Sequence, residues 1–158
     1  MNTQRPPVSN ADADDEVLIR TLFQKLLDSW GRGDGYAYAN HFTLDSDYIA
    51  FDGTHRKGCE ENAVAHQQLF DTWLKGTRLT GQIKGIRFLS PEIAIVHAVG
   101  GMLMTKHSTQ PKRQSIQTLI AVKNAGSWRF TAFHNCRVQQ RNWLQSLILG
   151  LFTRLFHR

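Results

Sequence analysis

Residues 79–138 read LTGQIKGIRFLSPEIAIVHAVGGMLMTKHSTQPKRQSIQTLIAVKNAGSWRFTAFHNCRV, and this stretch decides the architecture. Leu79–Leu89, Ile93–Thr105, Gln114–Lys123 and Trp128–Val138 are rich in β-branched and aromatic residues, as strands are. Pro91, Pro111 and Asn124-Ala125-Gly126 punctuate them, the last a hairpin turn signal. Upstream the texture is helical. Val17, Ile19, Leu22, Phe23, Leu26, Leu27 and Trp30 recur at helical spacing and predict a helix over Asp12–Trp30. Asp12, Asp14, Asp15 and Glu16 sit at the positive end of its dipole, and Gly31-Arg32-Gly33-Asp34-Gly35 ends it. A short helix over Tyr36–Phe42 follows, then a strand over Ser46–Phe51 closed by the turn dipeptide Asp52-Gly53. A third helix fits Glu60–Leu74, with Ala63, His66, Phe70, Trp73 and Leu74 on one face. Three helical segments ahead of a four-strand meander predict an α+β domain, its helices against one face of a strongly curved antiparallel sheet.

The chain has 158 residues, 41% hydrophobic and 20% charged, which excludes a disordered or collagenous polypeptide. One domain with its own core is expected over 12–138. Residues 1–11 read as a disordered arm: Met1–Asn10 is polar, carries Pro6 and Pro7, and has no apolar run of the secretory kind. Residues 139–158 read as an apolar, basic C-terminal helix. The net charge is +6, and Arg137, Arg141, Arg154 and Arg158 supply much of it with no acid among them. Elsewhere Lys75, Arg78, Lys84, Arg87, Lys106, Lys112 and Arg113 are scattered along segments that read as exposed, a solvated face and not a nucleic-acid surface. Nothing approaches the ~20 continuous apolar residues of a membrane span, so a cytoplasmic location is expected, with reduced cysteines. Cys59 and Cys136 form no CxxC-type pair; one long-range disulfide stays open, and Cys136 reads as a buried structural thiol. No Walker, Rossmann or zinc-protease motif appears, and no cofactor is expected.

Several short motifs occur in a telling order. Ser29-Trp30-Gly31-Arg32-Gly33-Asp34 ends the first helix, and a strand closes on Phe51-Asp52-Gly53-Thr54 with Lys57-Gly58 after it. Ala65-His66-Gln67-Gln68-Leu69-Phe70 lies on the third helix, followed by Ile93-Ala94-Ile95-Val96-His97 and Trp128-Arg129-Phe130-Thr131-Ala132-Phe133-His134-Asn135. Over about Asp15–Val138 this order is similar to the SnoaL-like group of the nuclear-transport-factor-2-like superfamily, and most to SgcJ/EcaC-type proteins. The resemblance implies a cone-shaped, cystatin-like barrel, its sheet wrapped around a hydrophobic pocket roofed by helices. It also implies a homodimer through the sheet's outer face. That face is expected to carry Ala94, Val96, Ala98, Met102 and Met104, joined by Ile116, Thr118, Ile120 and Val122. Ile93, Ile95, His97, Val99 and Leu103 would then face inward.

Four ionisable residues are candidates for catalysis. Asp52 resembles in place the general-base aspartate of the superfamily's ketosteroid isomerases; the other reading is an Asp-Gly turn cap. His66 lies on the apolar stripe of the third helix. His97 and His134 each interrupt an otherwise apolar strand row, His134 sharing parity with Trp128, Phe130, Ala132 and Cys136. Asp52 with one or more of these histidines would make an acid–base pair. Asp52, His66 and His134 are expected to point into one cavity, lined by Trp30, Tyr48, Phe51, Phe70, Trp128 and Asn135. Where the isomerases carry an oxyanion-donating tyrosine, this chain has Leu26, so the donor would have to be Tyr48 or a protonated histidine. His66, His97 and His134 lack chelate spacing, and no metal site is expected.

Two functions follow. One is a cofactor-free acid–base enzyme, an isomerase, dehydratase or polyketide cyclase-like protein acting on a small apolar substrate. The other is a non-catalytic dimeric ligand-binding or accessory module. The C-terminal helix is expected to dock on its own domain or on the partner subunit, with weak membrane-surface contact as the alternative.

Overall fold

The computed structural model describes residues 10–105 and 107–138. The tail helix expected over 139–158 lies outside the described residues, together with its docking or membrane contact, and so does the arm up to residue 9. The order is α1 (Asn10–Arg32), α2 (Gly35–Ala39), β1 (Phe42–Ile49), β2 (His55–Lys57), α3 (Gly58–Asp71), β3 (Arg78–Ser90), β4 (Ile93–Leu103), β5 (Lys112–Asn124) and β6 (Ser127–Arg137). Strands β3 to β6 form the expected antiparallel meander, and the α+β architecture is as expected. Two features refine it. β1 enters beside β6 in parallel, and the short β2 pairs with β1 at the edge, giving the order β2-β1-β6-β5-β4-β3. The sheet is therefore mixed, and it stays open between β2 and β3 rather than closing as a barrel.

The helices lie over one face. Ile19, Phe23, Leu26, Leu27 and Trp30 of α1 meet Ala94, Val96 and Ala98 of β4, Leu119 and Ala121 of β5, and Phe130 and Phe133 of β6 in one core. Asp34 caps α2, its carboxylate accepting from the Ala37 N–H at 2.8 Å. Gly35 then lets α2 press onto α3, for a Cβ there would lie 2.4 Å from the Gln67 backbone nitrogen.

Two strand faces are the reverse of the expectation. On β4 both rows are apolar, so alternation could not choose between them. The smaller row, Ala94, Val96 and Ala98, faces the core, while Ile93 and His97 are exposed. These small side chains share one core with larger ones from other elements, Phe23 and Leu27 of α1 among them. On β6 the cause is a bulge. Ile120 pairs with Ala132 but Ala121 pairs with Phe130, so Thr131 is the extra residue and the inward parity changes there. Trp128 and Phe130 point inward before it; Phe133, Asn135 and Arg137 do so after it. His134 and Cys136 are consequently exposed on the outer face, and both cysteines are free thiols.

Candidate functional site

α1, α2, α3 and the inner sheet face enclose a cavity of about 270 Å³. Its deep end is built from rings. His66, 2% exposed, lies 4.5 Å from Tyr38, 5.1 Å from Tyr48, 5.7 Å from Trp30 and 5.9 Å from Phe70, between ring centroids. Its Nδ1 is 2.9 Å from the Asn62 carbonyl oxygen, which can only accept, so Nδ1 carries the proton. Nε2 is left as a lone-pair acceptor without a hydrogen-bond partner among the described residues. Burial, with a smaller contribution from the Arg56 charge, pushes the imidazole pKa down to about 4, and the ring is neutral at pH 7.

The Tyr38 and Tyr48 hydroxyls stand 3.3 Å apart. Burial raises both phenol pKa values, so both are protonated. A pair that shares one proton between its oxygens keeps a second O–H to donate elsewhere. Trp30 closes the floor, its indole N–H donating to Thr77 Oγ1 at 3.0 Å.

The expected triad does not converge. Asp52 is exposed at the rim, where its carboxylate accepts from the Thr54 N–H at 3.0 Å. That bond, with one from the Thr54 side chain, holds its pKa below the usual carboxylate value. No histidine among the described residues is bonded to it, and it caps a turn as its alternative reading had it. His66 is at the floor. His97 and His134 are on the outer face, away from the cavity, with His97 Nδ1 3.3 Å from Thr118 Oγ1.

Trp30, Tyr48, Phe51 and Asn135 line the cavity as expected. Phe70 stands behind His66, its ring 5.0 Å from Trp30. Trp128 does not line it: its indole N–H donates at 2.9 Å to Asp15, whose carboxylate also takes Lys123 at 2.7 Å. Trp73, expected on the apolar stripe, is 85% exposed because α3 ends at Asp71, and its ring sits at the cavity mouth. The sequence reading missed Tyr38, Arg56, Arg113, Gln117 and Arg137, all of which line the cavity. The β5 parity Ser115, Gln117, Leu119, Ala121 held a usable signal, a row that changes from polar to apolar halfway along. Among the described residues no group of three His, Cys, Asp or Glu side chains is placed to hold a metal ion.

An open, curved sheet roofed by three helices around an aromatic cavity is the cystatin-like architecture; the chain belongs with the cystatin-like-fold proteins and shares its fold with NTF2-like proteins. A domain of unknown function with a cystatin-like fold from Nostoc punctiforme is 32% identical, covering 91% of this chain and 88% of its own, with a TM-score of 0.75. An NTF-2 like protein from Shewanella oneidensis is 23% identical over 77% of this chain and 98% of its own, TM-score 0.65. A ketosteroid isomerase-like protein from Erwinia carotovora atroseptica shares the fold at 16% identity, 78% and 96% coverage and TM-score 0.63. No protein-family model matches the chain, and no curated protein does. No helix among the described residues is long and apolar enough to cross a membrane.

Proposed function

We propose that the chain is a small-molecule binding module whose cavity takes a compact, largely apolar ligand. The observation that carries this reading is the separation of the ionisable groups. Efficient proton transfer at neutral pH calls for an acid or base poised near 7. Asp52 is engaged by Thr54 on its turn, and His66 is a buried neutral ring with a pKa of about 4. What the deep end offers is recognition: one imidazole acceptor, one spare phenol proton and a cage of rings.

A second reading, a cofactor-free isomerase, dehydratase or polyketide cyclase-like enzyme, is favoured by the Tyr38–Tyr48–His66 cluster itself. In it His66 Nε2 takes a proton from the substrate, and the phenol pair donates to the oxyanion that develops. Leu26 stands in the cavity wall, so Tyr48, backed by Tyr38, would supply the donor that Leu26 cannot. The fold shared with the Erwinia ketosteroid isomerase-like protein is compatible with that chemistry. The motif order in the sequence supports an SgcJ/EcaC-type placement. It also supports a second copy of the chain as partner, on the outer face that exposes Ile93 and Ile116.

Ligand-protected melting against polyketide-like and terpenoid compounds, with each hit analysed for chemical change, tests both readings. Protection without conversion supports the binding module. Conversion that is lost in both His66→Asn and Tyr48→Phe supports the enzyme. Failure of every compound to raise the melting temperature refutes the cavity as a ligand site.

A further inference from the structure

The two ends of the cavity differ in chemistry. The deep end is aromatic, whereas the inner face of β5 and β6 near the mouth is polar. In the sheet register Ser115 opposes Arg137 and Gln117 opposes Asn135, so these four share one ledge, with Arg113 diagonal to Arg137 on the same face. Ser115 and Gln117 are 7% and 8% exposed, unusually buried for polar side chains on a sheet face that continues as Leu119 and Ala121. Gln117 Nε2 donates to Ser115 Oγ at 3.3 Å, and Asn135 Oδ1 is buried with no hydrogen-bond partner among the described residues. Buried polar atoms are nearly always satisfied in a folded protein, and one left over in a cavity wall points to a missing partner. An amide can present either its oxygen or its NH2 to that partner.

Charge says what the partner is. Among the described residues Arg56, Arg113 and Arg137 line the cavity against a single acid, Asp52, a net charge of +2. Among the described residues none of the three arginines has a carboxylate within 4.0 Å. Arg137 lies over the Phe51 ring, 4.2 Å from its centroid, which leaves the edge of its guanidinium free to donate. Arg113 holds a left-handed backbone with φ of 54°, a conformation that costs energy in any residue but glycine and tends to persist where a site needs it.

We infer that the cavity takes an amphipathic monocarboxylate: the carboxylate sits on the Arg113–Arg137 ledge with Gln117 and Asn135, and the apolar body runs inward to Trp30, Tyr48 and His66. This names the ligand class of the binding reading given above and rests on it. Arginine's planar fork matches a carboxylate, and an aromatic or short alkyl body matches the ring-lined floor. Asp52, four residues before Arg56 at the rim, opposes a second negative charge and favours one carboxylate over two.

Titration calorimetry at pH 7.5 with phenylacetate and decanoate, each against its neutral primary amide, reads the contribution of the carboxylate directly. The acids are expected to bind at least tenfold tighter than their amides. That preference should shrink in Gln117→Leu and vanish in the Arg113→Gln/Arg137→Gln double variant. Should the double variant not fold, the acid-against-amide ratio on the parent chain decides alone. Equal binding of acid and amide overturns this inference and leaves the cavity reading standing. Inorganic phosphate protecting as well as the acids overturns the requirement for an apolar body. If neither acid nor amide binds, and no library compound protects, both inferences fall.

Discussion

The buried imidazole of His66 makes the stability of this domain depend on pH in a defined window. Folded, the ring holds a pKa of about 4; unfolded and solvated it returns to 6.5. Between those values the unfolded chain binds the extra proton, so stability rises with pH. The contribution is fully present above about pH 6.5 and is lost as the pH falls toward 4. Each tenfold change in proton affinity is worth about 1.36 kcal/mol, so integration over this window gives a loss of about 2 kcal/mol at pH 5 and about 3 kcal/mol at pH 4. For a domain of this size the loss at pH 5 lowers the melting temperature by roughly 4–8 °C. Urea denaturation of the parent and of His66→Asn at pH 7.5, 6, 5 and 4 isolates the effect of the ring. Asparagine keeps an N–H for the Asn62 carbonyl but cannot titrate. Burial also lowers the pKa of His41, but that contribution is common to both proteins and cancels in the difference. The gap between the two stability curves is expected to narrow, or reverse, by about 2 kcal/mol between pH 7.5 and 5. Parallel curves over that range would show that the ring is not held neutral by burial, and the tautomer assigned to it would fall as well.

Three further outcomes rest on the same contacts. Thr77→Val leaves the Trp30 indole N–H buried without its acceptor, and denaturant titration should show a loss of about 1–3 kcal/mol. In a Trp30→Phe background the same Thr77→Val change should destabilise far less, as a double-mutant cycle reads. Asp52→Asn keeps an acceptor for the Thr54 N–H, so stability should change by about 0.5 kcal/mol or less. The same variant should bind phenylacetate more tightly in calorimetry, one opposing charge having been removed from the rim. Ile116→Asp on the exposed outer face should convert a dimer into a monomer in light scattering; a parent mass near 18.0 kDa at micromolar concentration counts against the dimer.

Much of the architecture could be read from the chain because periodicity carries it. The α1 stripe from Ile19 to Trp30 has an unambiguous helical period, and the four meander strands are rich in strand-forming residues and set off by clear turn residues. β2 and the parallel entry of β1 could not be read in that way. A three-residue strand has no period, and a parallel neighbour is chosen by tertiary packing rather than by a local turn. The site was legible where a helix stripe fixed direction, as for His66 and Trp30. It failed where a single bulge residue, Thr131, inverted the rest of β6, turning His134 outward and Arg137 inward. Asp52 was found at the right place with the wrong partner, since the Thr54 N–H two residues away satisfies it more readily than a distant histidine.

The position of β6 bears on how the chain reaches this state. β6 is the seam of the sheet: β1 and β2 hang on one side of it and the β3–β5 meander on the other. Until β6 is in place, the β1–β2 ribbon has no sheet to join, and it must wait beside a meander whose inner face is uncovered on that flank. The parallel pairing of Tyr48 with Phe133 and Ile49 with His134 spans more than half of the chain, a long loop to close before any contact stabilises it. During synthesis the β1–β2 ribbon therefore has no sheet to join until residues near Arg137 have been made. Strand order alone makes β6, through Phe130 and Phe133, the element that ties the two parts of the sheet into one core.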